Sequence, residues 1–311
     1  MVGLDGWVQT SLNFPMAAPR HFLTGEELSP DEVLGLVERA RELKGGRAAG
    51  AEEDALKGLT VALYFERPST RTRISFQVGV AELGGHPLPL RADELQLGRG
   101  ESIADTARML SRFVAGVVIR SGSDETVLEL AEHSDVPVIN GLTPLHHPCQ
   151  ALADLTTLEE RFGDLDGLKV AYVGDGNNVA RSLAVLGALV GIEVVVAAPE
   201  GYGLEDGVAA QQTADPLEAA EGAHALYTDV WVSMGDEATA DERRAALRPY
   251  QLREELIDVA ADDAVVLHCL PAHPGEEITE GLLYGDRSAV WDQAENRLHA
   301  QKALLELLLA G

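Results

Sequence analysis

Leu59-Thr60-Val61-Ala62-Leu63-Tyr64-Phe65-Glu66-Arg67-Pro68-Ser69-Thr70-Arg71-Thr72-Arg73 is the stretch on which the reading of this chain turns. Residues 59–65 form a short apolar run, the pattern of a strand buried on both faces. Residues 69–83 carry Ile74, Val78 and Ala81 at helical spacing, and Gly84-Gly85 supplies a stop. The junction is therefore the start of a helix just beyond a buried strand. A helix start offers unpaired backbone N–H groups and partial positive charge. Ser69, Thr70 and Thr72 add hydroxyls there, and Arg71 adds a planar fork suited to phosphate oxygens. One Ser-Thr pair would read as an ordinary helix cap. Five such residues in a row after a buried strand read as an anion cradle. It is not a nucleotide-binding loop of the Gly-Lys-Ser/Thr kind, because no such run is present.

Outward from this junction the chain alternates between strand-like and helix-like segments. Ser102 with Asp105 resembles a capping box opening a helix through Ile103, Ala107 and Leu110. Residues 116–119 and 137–140 read as strands, with 127–131 in a helix between them. A long helix is expected from His147-Pro148, with Leu152, Leu155 and Leu158 at three-residue steps. A second series follows: strands at 169–173, 193–198, 224–229 and 264–270, helices at 178–190 and 216–222, and a closing helix at 292–310. Repeated strand–helix units predict parallel sheets covered by helices. The expected fold class is α/β, with two domains, each with a central mainly parallel sheet flanked by helices, joined by a long interdomain helix. The expected domains are residues 1–150 and 151–291. Ligands in such sheets lie beyond the carboxyl ends of strands.

A length of 311 residues suits two domains, and 46% apolar residues supply their cores. No apolar run reaches the ~20 residues of a membrane span, and residues 1–20 lack a signal-peptide pattern. A cytoplasmic protein is expected. Two cysteines, Cys149 and Cys269, cannot build a disulfide framework. The chain holds 51 acidic and 24 basic residues, a net charge of -27. Such a surface repels nucleic acid and anionic membranes. Salt screens self-repulsion of this kind, so a salt-rich cytoplasm is one expectation; a merely acidic protein from an ordinary cytoplasm is the other. A strongly anionic protein that grips phosphate must gather its few cations at the site, which makes each arginine informative.

Ser69-Thr70-Arg71-Thr72-Arg73 resembles the carbamoyl-phosphate signature of the aspartate and ornithine carbamoyltransferases, and other motifs extend the likeness. Arg120 follows a strand as a family arginine does. His147-Pro148-Cys149-Gln150 resembles the family motif before the interdomain helix. Gln96 lies in Leu95-Gln96-Leu97-Gly98-Arg99-Gly100-Glu101-Ser102, which the resemblance makes a loop reaching a neighbouring subunit's site, and hence implies a homo-oligomer, a trimer or a multiple of trimers. Relatives often carry a lysine just before the Glu-Ser of this loop; here Gly100 stands there, beside Arg99. Arg297 matches a family arginine on the closing helix (292–311), which in the family packs back onto the first domain.

The second half of the chain bears on the acceptor. Val173-Gly174-Asp175-Gly176-Asn177-Asn178 is a fragment of a dinucleotide fingerprint without its third glycine; paired asparagines suit an amino-acid carboxylate better. Asp229, followed by Ser233-Met234-Gly235, and His268-Cys269-Leu270-Pro271 resemble the ornithine branch of the family. The resemblance implies transfer of a carbamoyl group from carbamoyl phosphate to the side-chain amine of L-ornithine, giving citrulline and phosphate, with no metal and no cofactor. It implies that Ser69, Thr70, Arg71, Thr72, Gln96, Arg120, His147, Gln150, Cys269, Leu270 and Arg297 bind carbamoyl phosphate. Arg71, Arg120, His147 and Cys269 would be catalytic, with Cys269 assisting loss of the amine proton, and Gln150 would accept from the carbamoyl NH2. Asn178, Asp229, Ser233 and Met234 would place ornithine. Putrescine, acetylated ornithine or aspartate as acceptor, a nicotinamide-dependent oxidoreductase, and a ligand-sensing protein without catalysis are the alternatives.

Overall fold

A computed structural model describes residues 19–67, 69–91, 100–233 and 237–310. In chain order the elements are α1 (Pro30–Ala48), β1 (Thr60–Phe65), α2 (Thr70–Glu82), β2 (His86–Arg91), α3 (Ile103–Leu110), β3 (Gly116–Arg120), α4 (Asp124–Glu132), β4 (Val138–Leu142) and α5 (Pro148–Phe162). Then come β5 (Lys169–Val173), α6 (Asn178–Leu189), β6 (Glu193–Ala197), β7 (Gln211–Thr213), α7 (Pro216–Ala220), β8 (Ala225–Thr228), α8 (Ala240–Leu247), α9 (Glu254–Ile257), β9 (Val265–His268), α10 (Glu280–Tyr284) and α11 (Val290–Leu309). No helix among the described residues is long and apolar enough to cross a membrane.

The strands form two sheets, ordered β2-β1-β3-β4 and β7-β6-β5-β8-β9, and every strand pair in them is parallel. The expected α/β class with two parallel sheets is what is observed. In each sheet the chain leaves a central strand in one direction and later returns to its other side. The reversal falls between β1 and β3 in the first sheet and between β5 and β8 in the second, the places where such sheets leave a crevice. The central strands are apolar because both faces are covered: residues 61–65 of β1 are all buried.

Six elements were not expected from sequence: α1, β2, β7 and the short helices α8, α9 and α10. α1 opens with a capping box in which the Ser29 hydroxyl and the Glu32 carboxylate satisfy each other's backbone N–H, with Pro30 in the first turn. It buries Val33, Leu36, Val37, Ala40 and Leu43, one helical face. β2 is the edge of its sheet and carries Pro87 and Pro89, residues that lack the N–H an inner strand needs. β7 is the edge of the other sheet and is polar throughout, Gln211-Gln212-Thr213. Boundary differences elsewhere are small; α11 begins at Val290 rather than 292.

α5 runs from the first sheet to the second and is buried along most of its length. α11 packs against α1, α2 and α5, burying Leu298, Ala300, Ala303, Leu304 and Leu305. The helix that follows the second sheet therefore lies on helices of the first. Both cysteines are free thiols; Cys149 is buried and donates to the Asn140 carbonyl at 3.3 Å.

Candidate active site

A cavity of about 700 Å³ opens where the carboxyl ends of β1, β3, β5, β8 and β9 converge. Its size suits one or two small metabolites. Its walls include Ser69, Thr70, Arg71, Thr72, Arg120, His147 and Arg297 from one side and Asn178, Asp229, Ser233, Cys269 and Leu270 from the other. Residues spread over 229 positions of sequence thus share one space. Gln96 and Met234, and Arg99 beside the first, lie outside the described residues.

The cradle begins at Ser69, the residue before α2. Its hydroxyl makes no capping bond to the helix; it accepts from Arg120 Nη1 at 3.0 Å. The ordinary-cap reading of this serine therefore fails. Arg120 ends β3, where the register with β4 slips: Ile119 lies opposite Asn140 but Arg120 opposite Leu142, leaving Gly141 as an extra residue. A bulge of this kind re-aims the side chains beside it. Glu66, just past β1, ties the two strand ends together by accepting from Ser121 Oγ at 2.6 Å and Gly122 N at 2.9 Å. Arg297 reaches in from α11 and donates to Thr72 Oγ1 at 2.6 Å and to Gln150 Oε1.

These cations repel one another. Burial, with Arg297, Arg71 and Arg67 nearby, pulls Arg120 down to about 10. Burial and then Arg297, Arg120 and Arg71 hold His147 well below its ordinary range, so its imidazole is neutral near pH 7. His147 precedes α5, whose first residue is Pro148; its ring makes no cap bond, and its backbone N–H is held by Ser182 Oγ at 2.8 Å. Arg120 Nε, His147 Nδ1 and Arg297 Nε are buried without a hydrogen-bond partner among the described residues. Among the described residues, Arg71, Arg120 and Arg297 form no ion pair with a carboxylate. In a chain with twice as many acids as bases, this is a place kept for an anion.

The opposite wall is anionic. Asp229 follows β8 and is 8% exposed. Its Oδ1 accepts from Val230 N at 2.8 Å and Cys269 Sγ at 2.9 Å, and its Oδ2 from Asn177 Nδ2 at 2.7 Å. Asn177 caps α6, its Oδ1 accepting from Val179 N and Ala180 N. Its amide is thus spent on the helix start and on Asp229. The pair of asparagines divides its labour: Asn178 Nδ2 donates to the Thr143 carbonyl at 2.7 Å, tying this loop to the first sheet's side of the cavity.

Two of the expected residues are engaged by protein partners. Cys269 lines the cavity with its thiol directed at Asp229. Burial and the neighbouring Asp229 carboxylate push its thiol well above its ordinary range, and the protonated sulfur donates to that carboxylate. Gln150 is not on the cavity wall: it is 1% exposed, its Nε2 donates to Asp154 at 2.8 Å, and its Oε1 accepts from Arg297. It touches the site through that arginine.

Sequence reasoning also missed lining residues. Arg67, Thr143, His273 and Arg243 also line the cavity. Arg243 is paired with Asp175, donates to the Trp231 carbonyl at 2.8 Å and lies over the Tyr202 ring. It thereby pins Trp231 against the loop after β5. The glycines of that loop serve the same packing. A Cβ on Gly176 would sit 2.7 Å from the backbone of Gly203 and Leu204, and Gly176 N donates to the Tyr202 carbonyl at 2.7 Å. The space a dinucleotide's phosphates would need against this glycine is filled by the chain itself, which removes the support for the nicotinamide reading.

Two groups of ligand-type side chains lie close together, Asp229 with His268 and Cys269, and His273 with Glu276 and Glu277. In the first, His268 Nδ1 accepts from Leu270 N at 2.9 Å and its Nε2 faces Glu277 Oε1 at 3.2 Å, so both ring nitrogens are engaged. In the second, Glu276 is drawn to Arg244 at 3.2 Å. Neither group presents a free set of donors.

Comparison with known proteins agrees with this geometry. Residues 20–160 match the family described as aspartate/ornithine carbamoyltransferase, carbamoyl-P binding domain, and residues 166–308 match its Asp/Orn binding domain. The chain belongs to the aspartate/ornithine carbamoyltransferase family. Within the family it is 52% identical over 304 residues to the ornithine carbamoyltransferase of Symbiobacterium thermophilum, covering 94% of this chain and 98% of that protein. It is 49% identical to the ornithine carbamoyltransferase of Pyrococcus abyssi, covering 94% and 96%. The solved structure of ornithine carbamoyltransferase from Pyrococcus furiosus superposes with a TM-score of 0.91 at 48% identity, covering 94% of this chain and 98% of that one. That from Thermus thermophilus gives 0.87 at 46%, covering 94% and 100%.

Proposed function

We infer that the chain transfers the carbamoyl group of carbamoyl phosphate to the side-chain amine of L-ornithine, giving L-citrulline and phosphate. The observation that carries this reading is the polarity of the cavity. Three arginines with no carboxylate partner among the described residues face a buried aspartate, Asp229, across one cavity. An acceptor with a side-chain carboxylate would bring a like charge toward Asp229, so an amino acid with an amine in its side chain fits this wall better than aspartate. The similarity to ornithine carbamoyltransferases points the same way.

In this reading Ser69, Thr70, Arg71, Thr72 and Arg120 hold the phosphate at the start of α2. Thr72, Arg120 and the neutral His147 donate to the carbonyl oxygen as attack turns it into an oxyanion. Arg297, held from behind by Gln150, completes that grip, and the carbonyls of Cys269 and Leu270 hold the carbamoyl NH2. Asn178, Asp229, Ser233 and Met234 place ornithine. Only the neutral amine attacks, and the cluster of guanidinium groups disfavours its ammonium form. A C–N bond forms, the C–O bond to phosphate breaks, and the amine proton passes to a basic oxygen in the cavity. The Cys269 thiol, held by Asp229, orients that carboxylate toward the amine.

We assign residues 1–150 to carbamoyl phosphate, with 292–311 folded back on them, and 151–291 to ornithine; α11 packing on α1, α2 and α5 supports this. We further propose a cytoplasmic homotrimer or multiple of trimers. Exposed Ile74, Phe113, Leu128 and Leu145, all in the first region, support a self-contact there. The decisive assay is colorimetric citrulline formation with ornithine, putrescine, acetylornithine and aspartate as acceptors, at low and high potassium chloride. Carbamoylation of aspartate or putrescine in preference to ornithine would overturn the acceptor.

A further inference from the structure

Asp154 lies on α5 one turn beyond Gln150, is 0% exposed, and touches neither face of the cavity. Its Oδ1 accepts from three donors drawn from three elements: Gln150 Nε2 at 2.8 Å, Gln293 Nε2 of α11 at 2.7 Å, and Tyr227 OH of β8 at 3.2 Å. Its Oδ2 is buried and has no partner among the described residues. The far ends of the two glutamines are also occupied. Gln150 Oε1 accepts from Arg297, whose other nitrogen holds Thr72 of the phosphate cradle. Gln293 Oε1 accepts at 2.9 Å from the backbone N–H of His268, the residue before Cys269.

Polarity makes this arrangement single-valued. Asp154 Oδ1 only accepts, whether or not a proton rides on Oδ2. A guanidinium and a backbone N–H only donate. Each glutamine amide therefore must point its NH2 toward Asp154 and its oxygen outward; a flipped amide would set donor against donor at one end and oxygen against oxygen at the other. One buried acceptor thus fixes the orientation of two amides that lead to opposite walls of the cavity.

We propose that Asp154 is a positioning residue for both substrates: through Gln150 it presents an amide oxygen to Arg297 on the carbamoyl-phosphate side, and through Gln293 it holds the strand end carrying Cys269 on the acceptor side. This deepens the proposed reaction and rests on it. Cutting the middle of the chain of bonds loosens both walls, while cutting one arm loosens one wall.

The test is citrulline formation with both substrates varied, on the full chain and on Asp154→Asn, Asp154→Ala and Gln293→Ala, with circular dichroism to confirm folding. Asparagine can place its oxygen where Oδ1 lies and its NH2 where Oδ2 lies, so Asp154→Asn keeps kcat and both KM values within about threefold of the parent. Asp154→Ala removes the acceptor, raising the KM for both carbamoyl phosphate and ornithine and lowering kcat by about 10- to 100-fold. Gln293→Ala, which stands in if Asp154→Ala fails to fold, raises the ornithine KM about tenfold and leaves that of carbamoyl phosphate within about threefold. A folded Asp154→Ala with parental constants, an Asp154→Asn as impaired as Asp154→Ala, or a Gln293→Ala that shifts both KM values alike would overturn the proposal. A parent chain that forms no citrulline would instead remove the underlying reaction, a result distinct from any variant's.

Discussion

Arg71 is half-buried and makes no carboxylate ion pair among the described residues, so its removal should touch activity and spare the fold. Arg71→Ala is expected to lower kcat/KM for carbamoyl phosphate by about two to three orders of magnitude, the scale of losing a charged transition-state donor, with Tm nearly unchanged. Initial rates and a thermal melt on the same sample check both halves. Asp154 carries a pH signature. Burial raises its carboxyl from the usual 3.8 to about 7. A group that holds its proton more tightly when folded stabilises the fold below its unfolded pKa and loses that contribution as pH rises to its folded one. The parent should therefore lose stability relative to Asp154→Asn between pH 4 and 7, by roughly 4 kcal/mol at most. Urea unfolding of both chains across that range measures it, and parallel curves would refute it. Single residues differed in how far sequence revealed them. Ser69 to Arg73 are contiguous, and their chemistry is visible as a run. Asp154 acts through residues 150, 227 and 293, and no window along the chain brings those together. The thiol of Cys269 answers to Asp229, forty positions away, a neighbour its local motif does not show.

Elements were legible where their periodicity was strong and their faces buried. β1, β3, β5 and β6 are apolar runs covered on both sides, and each stands within a residue or two of where the pattern placed it. β2 and β7 are sheet edges; an edge strand tolerates Pro87 and Pro89 or an all-polar run, so neither alternation nor apolarity marks it. α1 is a different case, since Ser29-Pro30-Asp31-Glu32 announces a helix start in plain form and went unread. At the start of α6, Asn177 both caps the helix and holds Asp229. Asn177→Ala should cost about 1 kcal/mol of stability from the lost cap and raise the ornithine KM, because Asp229 Oδ2 loses its only side-chain donor among the described residues. A variant with a lowered Tm but an unmoved ornithine KM would confine Asn177 to capping.

At the scale of the whole molecule, charge is the dominant fact. The net charge of -27 is offset locally by surface pairs such as Arg39 with Glu306 and Glu53, and Arg47 with Glu82. Exposed pairs of this kind contribute little each and do not cancel the excess of acid. Raising potassium chloride toward 1 M, where the screening length falls to about 3 Å, should raise Tm; a melt that is flat or falling with salt would exclude adaptation to brine. The same excess made the arginines readable, since a cation left without a carboxylate in so acidic a chain has another use.

The reach of α11 also has a consequence for how the protein comes into being. Thr72 and the arginine that grips it are 225 residues apart, and the helix bearing that arginine covers the apolar faces of α1, α2 and α5. While the chain is still emerging from the ribosome, its first half carries a greasy, uncovered flank and an unfinished grip on its ligand. Both are made good only when residues beyond Val290 have been synthesised, so a truncation there should yield a sticky protein with an intact signature motif and no catalysis.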